Sequence, residues 1–262
     1  MKLKALLLGA YLVVIAAGSA FANSTPANNK GTPASLAVTQ EFVDIEAKSG
    51  TEATLDALGN RISDANTDAD TLSGAMRFLS ERDTTGTDPR YGLALAMVEL
   101  KLANTYAGMK KPEDSARFLF QSIARFLADS LILHQDKARC ADKTAGQNAL
   151  YFWQSPMQTV LAGYKQLTPE QKKKVQLAID LYDTKKSGRA PAPWVCRDGM
   201  DAVKIAQEKG LLTTTDTVVN GVKQTQSTTT ASVDPYLKYI PDDQWVKARA
   251  DVKASLLQAL AK

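Results

Sequence analysis

The fold of this chain follows from one stretch, residues 88–140, which reads DPRYGLALAMVELKLANTYAGMKKPEDSARFLFQSIARFLADSLILHQDKARC. It contains two long apolar segments, residues 89–109 and 112–133, which only Lys110 and Lys111 separate. Each segment begins with proline, which is favoured at the first helical position because its fixed φ suits a helix and its missing N–H would have had no partner. Apolar residues recur at intervals of three and four along both segments, in wide stripes. The sequence therefore predicts two long helices in succession, each buried on more than one side.

Amphipathic patterns also precede and follow this central pair. Three short helical patterns lie within residues 36–79, and four more lie within residues 155–260. The connections between them are short, which favours antiparallel neighbours. We predict a single all-α domain over residues 36–262, a helical bundle or a short array of helical hairpins with about eight or nine helices.

A polar, threonine-rich stretch over residues 211–234 interrupts the helical pattern. Within it, Asn220 and Gly221 separate two runs that contain β-branched residues, which is typical of a two-residue hairpin turn. Both faces of these runs are polar, so an isolated ribbon would be only marginally stable. Two alternatives stay open, a small β-hairpin near residues 217–225 and a disordered loop.

The N-terminus predicts export. Two lysines precede an apolar run over residues 5–17, which is too short to span a bilayer comfortably, and small residues follow it. This order is typical of a secretory signal peptide, here residues 1–22. Residues 23–35 carry no apolar stripe and are predicted to form a flexible leader. We expect a bacterial protein of the periplasm or the secreted fraction, with no membrane span after cleavage.

Removal of the signal peptide leaves 30 basic and 28 acidic residues, a net charge of +2. A nucleic-acid-binding protein would be expected to concentrate basic residues on one face. The balanced charge therefore argues against a nucleic-acid partner.

Cys140 and Cys196 are the two cysteines of the chain. In an oxidising compartment, a single pair of cysteines is most simply one disulfide, and these two can pair only with each other. The bond would close a loop of about 57 residues and stabilise the fold by about 4 kcal/mol in the chain-entropy model. The alternative is two buried free thiols.

Six residues within the segment 89–127 follow a known spacing: Leu102, Ala103, Tyr106, Ala116, Phe120 and Ile123. The spacing resembles that of the tetratricopeptide helical hairpin. The turn has one extra residue, Glu99 stands where the family has a large aromatic residue, and no second copy follows at a period of about 34 residues. The resemblance implies a helical hairpin with a small residue where the helices cross, and peptide binding on a concave surface.

The sequence offers little support for catalysis. His134 is the single histidine, which excludes metal sites with two histidines and leaves one candidate for a histidine-dependent triad. At the end of the fifth predicted helix, His134 is better explained by the helix dipole than by catalysis. The chain contains no nucleophile elbow, phosphate loop, dinucleotide fingerprint or Cys-x-x-Cys motif. We therefore expect neither a metal nor a cofactor.

Glu99 is the most notable carboxylate, because it lies inside an apolar helix between Val98 and Leu100. Burial would raise its pKa, and a sugar-cleaving enzyme uses such a group together with a second carboxylate. Two structural explanations compete: Glu99 lies on a narrow solvated edge, or it pairs with a basic neighbour. The sequence favours these explanations, and we assign no catalytic residue.

Tyr151, Phe152 and Trp153 are candidate binding residues. Three adjacent side chains cannot share one face of a helix, so at least one of them is directed to a second surface or to solvent. The alternative is that the cluster packs the two halves of the chain together. With catalytic motifs absent, this cluster favours an exported, non-catalytic protein that binds another protein, as an adaptor, an inhibitor or an immunity-type protein.

Two other functions stay open. One is a cell-wall glycoside hydrolase that uses Glu99 with a second carboxylate. The other is a small-molecule carrier with a pocket between helices, lined by Phe118, Phe120 and Phe126.

Overall fold

A computed structural model describes residues 31–64, 67–86, 88–147, 153–219, 222–229 and 232–261. The predicted signal peptide and most of the predicted leader lie outside these ranges. The described ranges contain eight α-helices, two short 3₁₀ helices and one two-stranded ribbon. The predicted all-α fold class is confirmed.

The α-helices are α1 (Pro33–Ser63), α2 (Ala69–Thr85), α3 (Pro89–Gly108), α4 (Pro112–Arg139), α5 (Gln154–Lys165), α6 (Pro169–Lys185), α7 (Met200–Glu208) and α8 (Asp242–Leu260). The strands are β1 (Leu212–Val219) and β2 (Val222–Thr229), and the 3₁₀ helices are Pro193–Cys196 and Asp234–Tyr236. None of the helices that the structure describes combines the length and the apolar content needed to cross a bilayer.

The chain divides into two compact units. The first consists of Met1–Asp129 and Val160–Tyr182, and the second of Ser130–Thr159 and Asp183–Lys262. The single domain over residues 36–262 stays a prediction.

In the first unit, α1 begins at Pro33, three residues before the predicted boundary of the domain. Its start is fixed by Thr32, whose hydroxyl accepts a hydrogen bond from the Ser35 N–H at 3.1 Å, as expected of an N-cap residue. The sequence predicts three short helical patterns before the central pair, but the structure joins the first two in α1, which is kinked at Gly50, with φ of 79°, and continues to Ser63. Glycine adopts this backbone conformation without steric cost.

The core of the first unit is apolar and aromatic. Phe42 of α1 lies 5.6 Å from Phe78 of α2, and Phe78 makes an edge contact with Tyr91 of α3, measured between ring centroids at 6.1 Å. All three side chains are buried. Helix α3 is buried over most of its surface, as its wide apolar stripe predicts.

The central pair is confirmed as α3 and α4. Asp88 caps α3 by accepting the Arg90 N–H at 3.0 Å. The two helices are joined by a buried hydrogen bond, in which the Ser122 hydroxyl donates to the Ala96 carbonyl at 2.7 Å. Helix α4 extends to Arg139, so the prediction that His134 ends the helix is wrong.

In the second unit, the threonine-rich stretch forms an antiparallel ribbon, with Leu212 opposite Thr229 and Val219 opposite Val222. Of the two alternatives drawn from the sequence, the structure has the hairpin, with longer strands than predicted.

Charged contacts connect further segments of the second unit. Asp183 accepts hydrogen bonds from Gln135 at 2.9 Å and from Arg249 of α8 at 2.6 Å, and Lys253 lies 3.2 Å from the same carboxylate. Buried Asp136 forms an ion pair with Arg189. These contacts attach α8 and the loop after α6 to α4.

Candidate functional site

Glu99 is buried, with 3% of its surface exposed. Its two carboxylate oxygens each accept a hydrogen bond from Nε of Arg125, at 3.2 Å. Of the two structural explanations drawn from the sequence, the solvated edge is wrong and the basic partner is correct. Arg125 comes from α4, 26 residues further along the chain.

The same arginine holds a second carboxylate. Nη1 of Arg125 donates to Oδ2 of Asp83 at 2.7 Å, and Asp83, at the end of α2, is 4% exposed. The Arg125 guanidinium therefore donates hydrogen bonds to two buried carboxylates, and the Arg125 side chain is 28% exposed. A forked guanidinium can do this because its N–H groups point in several fixed directions.

A tyrosine and a third carboxylate complete the group. The Tyr182 hydroxyl, from α6, is hydrogen-bonded to Asp83 and, at 2.8 Å, to Oδ1 of Asp129. Asp129, on α4, is 1% exposed. We call these five residues, Asp83, Glu99, Arg125, Asp129 and Tyr182, the carboxylate cluster; all of them belong to the first unit.

The charges of the cluster shift its pKa values. Burial raises the pKa of Glu99 to about 7, because the hydrogen bonds and charge of Arg125 offset only part of the cost of removing the carboxylate from water. Burial lowers the pKa of Arg125, but Glu99, Asp83 and Asp129 outweigh that effect and the net pKa is raised. Burial and the two neighbouring aspartates raise the pKa of Tyr182 well above its usual range.

A raised carboxyl pKa suits a general acid, but such an acid must reach the substrate. The three carboxyls of the cluster are no more than 4% exposed, and protein side chains contact each of them. The geometry therefore suits the attachment of helices better than hydrolysis of a cell-wall polymer. Among the described residues, no group of histidine, cysteine, aspartate and glutamate side chains is arranged to hold a metal ion.

The predicted disulfide is confirmed. Cys140, directly after α4, and Cys196, in the first 3₁₀ helix, are bonded to each other, and they are 0% and 4% exposed. The backbone of Cys140 also pairs with that of Tyr239. The disulfide therefore lies in the interior of the second unit and has a structural role.

The predicted aromatic surface is described only in part. Tyr151 and Phe152 lie outside the described residues. Trp153 is partly buried directly before α5, and its carbonyl accepts the Met157 N–H at 3.0 Å. The binding role of these three residues stays a prediction.

Two of the three phenylalanines proposed to line a carrier pocket take part in core packing. The ring of Phe118 is stacked on Tyr106, with 5.4 Å between centroids, and Phe126 is 0% exposed. These two rings contact neighbouring side chains of the protein. They therefore give the carrier function no support.

Helix α6 also carries an exposed apolar surface that was not predicted from the sequence. Leu177 and Leu181, one turn apart on α6, are 57% and 62% exposed, while Val175 and Ile179 of the same helix are buried. The helical period of 3.6 residues could have predicted this exposure, because a buried stripe through residues 175 and 179 places residues 177 and 181 on the opposite face.

Comparison of the chain with protein-family models, with curated proteins and with solved structures finds no match. The tetratricopeptide resemblance of the central pair therefore stays a prediction.

Proposed function

We propose that this protein is exported and non-catalytic, and that it binds another protein through the outer face of α6. This face consists of Glu170, Lys173, Lys174, Leu177 and Leu181. The observation that carries the proposal is the pair of leucines, each more than half exposed on a helix whose other side is buried.

The exposed leucines suit a helical partner. Residues four apart on a helix form a ridge, and such ridges pack into the grooves of a second helix. The charged residues that flank the leucines have both signs, with a Glu170–Lys174 ion pair at 2.9 Å and Lys173 exposed beside it. An apolar centre with a polar rim is typical of protein interfaces, whereas nucleic acids and anionic membranes attract surfaces with a strong basic excess.

Two features support export. The first 22 residues have the order of a secretory signal peptide, and a disulfide between Cys140 and Cys196 suits an oxidising compartment. If the chain is exported and cleaved as proposed, protein recovered from the periplasm or the medium has an intact mass that corresponds to a start at Asn23.

The test is affinity capture of partners by the mature protein from the exported fraction of its own cell, with two matched variants. One variant replaces both Leu177 and Leu181 with serine. The control replaces Val246 with serine, because Val246 is a single exposed apolar residue, 69% exposed, on another helix. Circular dichroism establishes that both variants are folded.

We expect one partner to bind the wild type and the Val246→Ser control equally, and to bind the leucine variant at least about tenfold more weakly. Equal binding to all three forms, or no partner, would contradict the proposal. Light scattering gives the remaining outcome: a homodimer that dissociates in the leucine variant would assign this face to a second copy of the chain instead.

A further inference from the structure

Lys173, Leu177 and Leu181 form a single row on the outer face of α6. Residues four apart on a helix lie in one ridge, and each step along this ridge is about 6 Å in the direction of the helix axis. Lys173 is exposed, and the two leucines are 57% and 62% exposed. A partner that packs along the ridge therefore meets two apolar side chains and, one turn before them, a positive charge.

The charged residues of the outer face have a positive excess. They are one acid, Glu170, and two bases, Lys173 and Lys174, so their net charge is +1. Glu170 and Lys174 form an ion pair at 2.9 Å, in which the two charges offset each other. The excess therefore lies at Lys173, in the same ridge as the leucines.

The start of α6 adds to the positive potential at this end of the ridge. The helix begins at Pro169, after a capping box in which Thr168 and Gln171 each accept the other's backbone N–H, at 3.2 and 2.9 Å. The amino end of a helix carries a partial positive charge. Helical side chains lean toward that end, so the Lys173 ammonium and the helix dipole attract a carboxylate to the same region.

We propose that the partner at the outer face of α6 is an acidic amphipathic helix, which packs apolar side chains against Leu177 and Leu181 and places a carboxylate opposite Lys173. This inference rests on the proposed function and adds the charge of the partner to it. A helix fits because its own rows of residues pack beside such a ridge. Complementary charge at the rim of an interface favours the correct partner and accelerates association.

The test uses a displayed library of helical peptides of about 20 residues, a length that supports a helix. Every peptide has two leucines four residues apart, and the polar positions within two turns of them are randomised. The full mature protein selects from this library in four forms: wild type, Lys173→Glu, the Leu177→Ser/Leu181→Ser double variant and a Lys247→Glu control. Lys247 is an exposed lysine on α8, and circular dichroism establishes that all four forms are folded.

With the wild type and the control, we expect aspartate and glutamate to be enriched at least about fivefold at a randomised position one turn from the leucines. Lys173→Glu should lose this preference and select lysine or arginine there. If the wild type selects peptides that the leucine double variant does not, but without the acidic preference, the inference fails and the proposed function stands. The same is true if Lys173→Glu keeps the acidic preference. If the wild type selects no peptide that the double variant does not also select, the proposed function fails as well.

A second measurement tests an anionic membrane as the occupant of the same face. The wild type and Lys173→Glu are mixed with vesicles of phosphatidylglycerol and phosphatidylcholine, and the vesicles are then sedimented. We expect both forms to stay in the supernatant, because two leucines and one unbalanced lysine give a small apolar area and little charge. Sedimentation of the wild type that Lys173→Glu abolishes would assign the face to a membrane and overturn the inference.

Discussion

Gly92 of α3 lies directly against the Asp129 carboxyl of α4, so closely that a Cβ on Gly92 would come within 2.0 Å of Oδ2 and 2.2 Å of Cγ. Because Asp129 is 1% exposed and is bonded to Tyr182, its side chain has little room to move aside. The absence of a side chain at Gly92 is therefore a condition for the carboxylate cluster.

Replacing Gly92 with alanine should destabilise the protein by about 2 to 3 kcal/mol, because the added methyl group overpacks a buried site. The measurement is urea unfolding followed by circular dichroism. Gly108→Ala is the matched control on the same helix, since a Cβ there meets nothing within 4 Å. The control should be neutral or stabilising by up to about 1 kcal/mol, and equal effects of the two substitutions would contradict the prediction.

Stability should fall as the pH rises from about 4.5 to about 7. Burial raises the pKa of Glu99 from 4.5 to about 7 in the folded protein, so between these values the folded state binds more protons than the unfolded state. The Glu99 contribution is fully present below the unfolded pKa and is lost as the pH rises through the folded pKa. The expected loss is about 3 kcal/mol.

The measurement is the free energy of unfolding in urea at about pH 5 and about pH 8. Glu99→Gln should show a much smaller difference between the two pH values, because glutamine does not titrate. If Glu99→Gln shows the same difference in the free energy of unfolding between the two pH values as the wild type, groups other than Glu99 cause the pH dependence.

Loss of the disulfide should destabilise the protein by about 4 kcal/mol, the chain-entropy value for the loop that Cys140 and Cys196 close. The check is the urea midpoint of a Cys140→Ser/Cys196→Ser double variant. Both cysteines are almost completely buried, so the folded protein should react with an alkylating reagent only after denaturation and reduction. Alkylation without reductant would show that the thiols are free.

Arg249→Ala should loosen the attachment of α8 and lower stability by about 2 kcal/mol. Arg249 donates to the Asp183 carboxylate through Nε at 2.9 Å and through Nη2 at 2.6 Å. Limited proteolysis detects the release of α8, and urea unfolding gives the change in the free energy of unfolding. Lys247→Ala, an exposed lysine on the same helix, serves as the control and should change neither; release of α8 in both variants would show that the effect is not specific to the Asp183 contact.

Helical periodicity, the positions of proline and the number of cysteines were enough to predict the central helices and the disulfide. Prolines at positions 89 and 112, with apolar recurrence behind them, predict α3 and α4 because helix starts and amphipathic stripes depend on neighbouring residues. The cysteine pairing follows in the same way, since two cysteines allow only one pair. The position of Glu99 inside an apolar helix likewise indicated a carboxylate that is buried or paired.

Tertiary structure alone decided the partners of Glu99 and the surface available for binding. Periodicity shows which side of a helix is buried but not which residue of another helix meets it, so Tyr182, 99 residues from Asp83 in the sequence, could not be assigned to the cluster. The exposure of Leu177 and Leu181 has the same origin, because burial depends on whether another element covers the face. Local patterns in the sequence predict most of the helices and the disulfide pair, whereas contacts between distant segments establish which charges share a buried site and which apolar residues stay exposed.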